Sequence, residues 1–258
     1  MFLSEPPRSG YDLNFSLFGF PVRVHPLFFL LPVLFGARAG DGVTVLVFAV
    51  VFFISILVHE LGHAFVMRYF GQPARIVLYA IGGLAIADSG NPWSSTRRRF
   101  TSNQQIMVSF AGPFAGFLLA IAFALIIVAL QGKIAIITSG ILPSFHVDFS
   151  ESKAITSPYL ASLLYFGMVI SVFLNVLNLL PIYPLDGGQI ARELFIQNDH
   201  RDGERKALML SLLVAIGVGL FALLHGQHFI GIFFGFLAWN NYQMLNMSGG
   251  GGGYRRPW

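Results

Sequence analysis

The chain has 258 residues, of which 55% are hydrophobic and 11% charged, with a mean hydropathy of +0.69 and a formal net charge of +4. Soluble domains carry roughly 25% charged residues, so 16 basic and 12 acidic side chains are too few to cover a core of this size with a polar skin, and lipid must cover part of the surface. Intrinsic disorder is excluded by the same figures, and with no cysteine there is no disulfide framework, thiolate zinc ligation or thiol catalysis.

The basic residues lie in short stretches between apolar runs rather than on a stripe interleaved with aromatics, so they read as membrane topology and no nucleic-acid partner is expected. The opening residues, MFLSEPPRSGYDLNF, lack the charged, apolar and small-residue order of a removable signal peptide.

A spanning helix needs about 20 mostly apolar residues. Six segments approach that length. The first, near residues 24–37, is short and carries Pro26 and Pro32. The second, near 43–70, opens with VTVLVFAVVFFISILV and runs on into the polar HELGHAFVMRYF. Next comes ARIVLYAIGGLAIADSG, in which Gly82 and Gly83 interrupt a β-branched stretch. It reads as two short strands around a Gly-Gly turn, or as a short helix or buried loop. The basic SSTRRRFTSNQ lies at the membrane surface. The third segment, near 106–130, contains the small-residue run Ser109-Phe-Ala-Gly112-Pro113-Phe-Ala-Gly116, suited to close helix packing. The fourth, fifth and sixth fall near 158–180, 207–224 and 229–247, followed by a flexible glycine-rich tail over 248–258.

Lys and Arg alternate between the connections. Arg75, Arg97, Arg98 and Arg99 follow the second segment, Arg192, Arg201, Arg205 and Lys206 follow the fourth, and Arg255 and Arg256 lie in the tail. The intervening loops carry little net positive charge. The positive-inside rule therefore puts both termini and the two rich loops in the cytoplasm. The expected fold is an all-α polytopic membrane protein with about six transmembrane helices and a short re-entrant β-hairpin-like segment. Its integral domain covers residues 24–247, after an N-terminal cytoplasmic segment over 1–23.

His59-Glu60-Leu61-Gly62-His63 has the form H-E-x-x-H. On a helix the two histidines, four apart, share a face and can hold one cation, and Glu60 reaches a water on it. Zinc suits imidazole, and its bound water beside a carboxylate base is a nucleophile near neutral pH. Ionisable groups following an apolar run cost several kcal/mol each unless paired or coordinated. An interfacial helix end with solvated polar residues is the plainer alternative.

A catalytic zinc takes a third protein ligand. His25, His146, His200, His225 and His228 are poorly placed for it, near the first span, on the opposite side, in a charged connection or at an outward turn. Asp186 is better placed: two prolines, Pro181 and Pro184, break the fourth segment before it, and Gly187-Gly188 after it permit a tight turn.

HELGH on an early span followed far downstream by NLLPIYPLDGG resembles the paired signature of the site-2 proteases, which are intramembrane zinc metalloproteases. The resemblance covers residues 25–195. It implies His59, His63 and Asp186 as zinc ligands, Glu60 as general base, and Asn178, eight positions before the aspartate, as the donor to the oxyanion. A side-chain amide in a span also satisfies itself by helix–helix hydrogen bonding, which is the alternative for both Asn175 and Asn178. The resemblance further implies that the Gly82-Gly83 segment pairs with an unwound substrate, since strand addition exposes carbonyls that a helix hides. Many bacterial members carry a PDZ domain between the third and fourth helices, but residues 131–157 are too few for one.

The function expected is hydrolysis of peptide bonds in or near transmembrane segments of membrane-protein substrates, with one zinc ion per chain. A zinc or proton transporter would need neither Glu60 nor the downstream motif. A silent binding module would be expected to have lost Glu60 or a ligand.

Overall fold

The computed structural model describes residues 7–36, 41–80, 82–87, 100–137 and 144–249. The tail from residue 250, with Arg255 and Arg256, and the basic residues Arg38, Arg97, Arg98 and Arg99 lie outside them. The chain is mostly helical and forms two compact units, residues 1–98 with 111–175 and residues 99–110 with 176–258.

The first unit opens with β1 (Leu13–Leu17) and β2 (Phe20–Val24), which residues 1–23 were not expected to form. Phe18 and Gly19 both have positive φ, 50° and 82°, which closes the hairpin in a turn matched to the strand twist. β2 pairs in parallel with β3 (Ala74–Tyr79), and β3 pairs antiparallel with β4 (Gly82–Ala87) in a four-stranded sheet of order β1-β2-β3-β4. The expected hairpin around the paired glycines is therefore present, but the turn is not where the glycines are. Tyr79 pairs with Gly82 and Leu78 with Gly83, so both glycines open β4.

After β2 come a 3-10 turn (Pro26–Phe29) and α1 (Leu30–Gly36), only seven residues long. Pro26 and Pro32 prevent a longer regular helix by removing backbone donors. The long helix α2 (Gly42–Tyr69) starts at Asp41, whose carboxylate accepts from the Thr44 backbone N–H (2.9 Å) and hydroxyl (2.6 Å). It stops at Gly71, where φ is +78°. There Gly71 N donates to Arg68 O and Gln72 N to Met67 O in a Schellman closure. Arg68 in the last turn donates to Phe18 O at 2.8 Å and lies 4.2 Å over the Phe20 ring, tying the end of α2 to the β1-β2 hairpin.

The stretch from Phe20 to Gly36 runs antiparallel to α2. Phe20 packs on Phe65 (ring centroids 5.2 Å apart) and Phe28 on Phe52 (5.7 Å), while a side chain at Gly36 would meet Val45. Twenty residues of α2, about 30 Å at 1.5 Å per residue, separate the first of these levels from the last.

α3 (Ser102–Ala129) and α4 (Pro158–Asn178) are joined by a hairpin of β5 (Lys133–Ile137) and β6 (Ser144–Asp148), where the sequence predicts a loop. It packs Phe145 and Val147 on a cluster of Ile127, Ile155, Leu164 and Met168.

In the second unit, α5 (Asp186–Asn198), α6 (Gly203–Leu224) and α7 (His228–Gly249) follow the prolines. Ile182, before α5, packs in a core with Ala215 of α6 and Phe234, Leu237 and Ala238 of α7. Between α5 and α6, Asp199 accepts from the Arg201 and Asp202 backbone N–H groups and from Lys206 Nζ at 2.7 Å. The hydrogen bond from Lys206 is the main cause that pulls its carboxyl down to about 2.

Among the described residues four helices are long and apolar enough to cross a membrane: α2, α3, α4 and α6. The protein is an integral membrane protein. Of the other two expected spans, the first contains α1, which at about 10 Å is too short to cross as a helix on its own. The last is α7, which carries Asn240, Asn241, Gln243 and Asn246 and is not among the four.

Candidate metal centre

In the second half of α2 the apolar run meets His59, Glu60 and His63, all buried despite their polarity (4%, 5% and 7% exposed). Helical spacing puts the two imidazoles one turn apart on one face. The rings are near perpendicular, with the two Nε2 atoms 3.1 Å apart. Two nitrogens bound to one tetrahedral zinc at about 2.05 Å would be about 3.3 Å apart. The pair is thus close to the edge of a zinc tetrahedron, and neutral imidazole is a donor that zinc favours.

Glycines make the space. A Cβ on Gly112 of α3 would lie 2.8 Å from His59 Nε2 and closer still to His63 Nε2, so only hydrogen at this position leaves room beside the nitrogens. Gly62, the glycine of HELGH, lets α2 approach α3, because a Cβ there would lie 2.4 Å from Ala111 O and 2.8 Å from Ala115 Cβ. The run around Pro113, read from sequence only as a packing element, is therefore the wall of the histidine pair. Buried donors and a cradle that a methyl group would fill fit a small cation.

Gly82 and Gly83 differ in what they require. Gly82 has φ +146°, a conformation that L side chains rarely adopt, with open space around it. A Cβ on Gly83 would fall 2.4 Å from Glu60 Cγ and 2.5 Å from Oε1. Gly83, the second residue of β4, thus lies directly against the Glu60 side chain, and β4 is the last strand of the sheet among the described residues.

Asn175, on α4, is fully buried and its Oδ1 lies 2.7 Å from His59 Nδ1. From sequence its expected role is a helix–helix hydrogen bond. That bond exists, and its partner is a candidate ligand. One turn earlier on the same helices, Ser55 and Ser171 hydroxyls lie 3.1 Å apart. Serine and asparagine facing serine and histidine, each pair four residues apart in an apolar span, was the available signal.

In the second unit Asn178 is the last residue of α4 and half-buried. Asp186 is 7% exposed and is the first residue of α5, where a carboxylate favours the positive end of the helix. The expected tight turn after it is instead helix. Gly187 and Gly188 are required by contact, since their Cβ atoms would lie 2.1 Å from Leu179 O and 2.3 Å from the Ile182 carbonyl carbon and Tyr183 N. The non-helical backbone before Asp186 is held on both sides. Tyr183 N donates to Ser211 Oγ (3.0 Å), and Asn241 Nδ2 donates to Tyr183 O (2.6 Å). Replacing Gly188 by alanine is expected to destabilise the protein by about 1–3 kcal/mol, seen as a lower melting temperature in detergent, because the opposing atoms are backbone and cannot rotate away.

Residues 47–223 match the family described as Peptidase family M50. The chain belongs to peptidase family M50. A zinc metalloprotease of Methanocaldococcus jannaschii is 26% identical to this family member over 215 residues, covering 82% of the chain and 52% of that protein. This M50 chain spans about half the length of the curated relatives it matches. The solved structure of a site-2 protease from M. jannaschii shares the fold with a TM-score of 0.57 at 22% identity, over 91% of this chain and 95% of that one.

Proposed function

We propose that the chain is an intramembrane zinc endopeptidase that cleaves peptide bonds in or near transmembrane segments of membrane-protein substrates. The observation that carries this reading is the buried His59-Glu60-His63 constellation, with its two Nε2 atoms facing each other inside an apolar helix. His59, His63 and Asp186, two imidazoles and a carboxylate, would hold one zinc ion per chain. When bound, zinc supplies a Lewis acid that lowers the pKa of water and polarises the scissile carbonyl.

The protein groups carry the rest. Glu60 accepts the proton of the attacking water and passes it to the leaving amine. Asn178 donates its amide N–H to the oxyanion. β4, the last strand of the sheet among the described residues and with Gly82 and Gly83 at its start, is where an unwound substrate strand would add beside Glu60.

The finer topology follows the same reading. The first crossing is composite, made by β2, the 3-10 turn and α1 alongside α2, and α7 makes the last. With six crossings the alternation of Lys and Arg puts both termini and the zinc site toward the cytoplasm. A transporter would use the same ligands but leaves the carboxylate of Glu60 beside them unexplained.

The test is proteolysis in liposomes containing the purified chain and a transmembrane peptide substrate. Cleavage is expected to stop on treatment with a zinc chelator and to return when zinc is restored. Cleavage insensitive to the chelator removes zinc from the reading.

A further inference from the structure

Asn175 has no part in the mechanism above, yet it is among the most buried polar residues of the protein. Its Nδ2 donates to the carbonyl of Ser171 one turn back, a group that can only accept, and this orients the amide. Oδ1 therefore faces Nδ1 of His59 at 2.7 Å. An amide oxygen also only accepts, so the proton between them belongs to Nδ1, and whenever the ring is neutral its lone pair is then on Nε2. That is the nitrogen 3.1 Å from Nε2 of His63.

The surroundings leave the amide little freedom. The contact of Ser55 with Ser171, one turn before that of His59 with Asn175, locks α2 and α4 side by side in parallel register. On the third side, a Cβ at Gly116 of α3 would collide with the Asn175 amide, so α3 backbone walls it in.

We propose that Asn175 is the positioning residue that holds His59 in its Nδ1–H tautomer, with Nε2 aimed at the metal position. This rests on the reading of His59 as a zinc ligand. Groups that orient a ligating histidine in this way change metal affinity 10- to 100-fold when removed. A residue serving only as helix–helix glue would change stability without changing the ring.

The experiment uses the full chain in detergent as wild type, Asn175→Leu and Asn175→Asp. The first readout is the ¹⁵N spectrum of the histidine rings in the metal-free protein. Wild type is expected to show His59 protonated at Nδ1, and the leucine variant a mixture of tautomers. The second is zinc Kd by chelator competition, expected to rise about 10- to 100-fold in Asn175→Leu and to recover in part in Asn175→Asp, which keeps an oxygen toward Nδ1 but loses the donor to Ser171 O. A wild-type spectrum with His59 protonated at Nε2 overturns the proposal without need of any variant. So does an Asn175→Leu protein with unchanged zinc Kd, even if it melts at a lower temperature. If zinc binding depends on Asn175 while wild type cleaves no peptide, the positioning role stands and the protease reading falls. If cleavage is chelator-sensitive but zinc affinity ignores Asn175, the reverse holds.

Discussion

Glu60→Gln is expected to lower peptide hydrolysis by about 10²- to 10⁴-fold, the usual contribution of a positioned general base, while zinc stoichiometry stays at wild-type level. Glutamine has the same shape and fits the same buried space against Gly83, so packing is preserved. What it lacks is an oxygen that can take a proton from water. Glu60 is not placed among the ligands, since it lies one residue beyond His59 on the helix and its carboxylate lies against the start of β4. The measurement is the turnover rate of a transmembrane peptide in liposomes beside metal analysis of the same sample. Loss of zinc together with activity would make Glu60 a ligand or a structural group, and retained turnover would remove it as the base.

The second large effect is expected at a residue with no side chain. Gly112→Ala places a methyl group within 2.8 Å of His59 Nε2 and closer to His63 Nε2, in the space the cation needs. Withdrawal of α3 would open the close packing of Gly62 on Ala111 and Ala115. The imidazoles must turn instead. A displacement of about 1 Å at a reacting centre costs on the order of 10²-fold, so zinc affinity and hydrolysis should fall together by at least that factor. Gly217→Ala is the control: nothing lies within 4 Å of its Cβ, and alanine is the better helix former. Equal zinc content in wild type and Gly112→Ala would show that the wall around the histidines is not what the contacts indicate.

The two motifs were legible in the sequence because their geometry is local. H-E-x-x-H on any helix brings two imidazoles to one face, and an apolar run before it sets their burial. The prolines before Asp186 were likewise a reliable sign that α4 ends there. Local pattern was less reliable where a neighbour far along the chain decides the conformation. The strand β2 reads as part of an N-terminal cytoplasmic segment until β3, some fifty residues later, pairs with it. Gly82 and Gly83 look like a turn because Gly-Gly dipeptides favour turns. Their roles are a positive φ in one case and the bulk of Glu60 in the other. Gly187 and Gly188 misled in the same way, since close approach to the backbone of residues 179–183, not flexibility, excludes side chains there.

By itself, then, the sequence determined the solvent and the chemistry. Scarce charge requires lipid, and the few ionisable groups within or just beyond the apolar runs are two imidazoles and a carboxylate of the kind that zinc favours, with a glutamate beside the first. Tertiary structure alone decided that Nδ1 of His59 meets Asn175 on another helix, and why glycine stands at 62, 83, 112 and 116. Helical spacing dictates which face a side chain occupies, whereas the atom it meets on that face depends on helices whose packing no local pattern encodes.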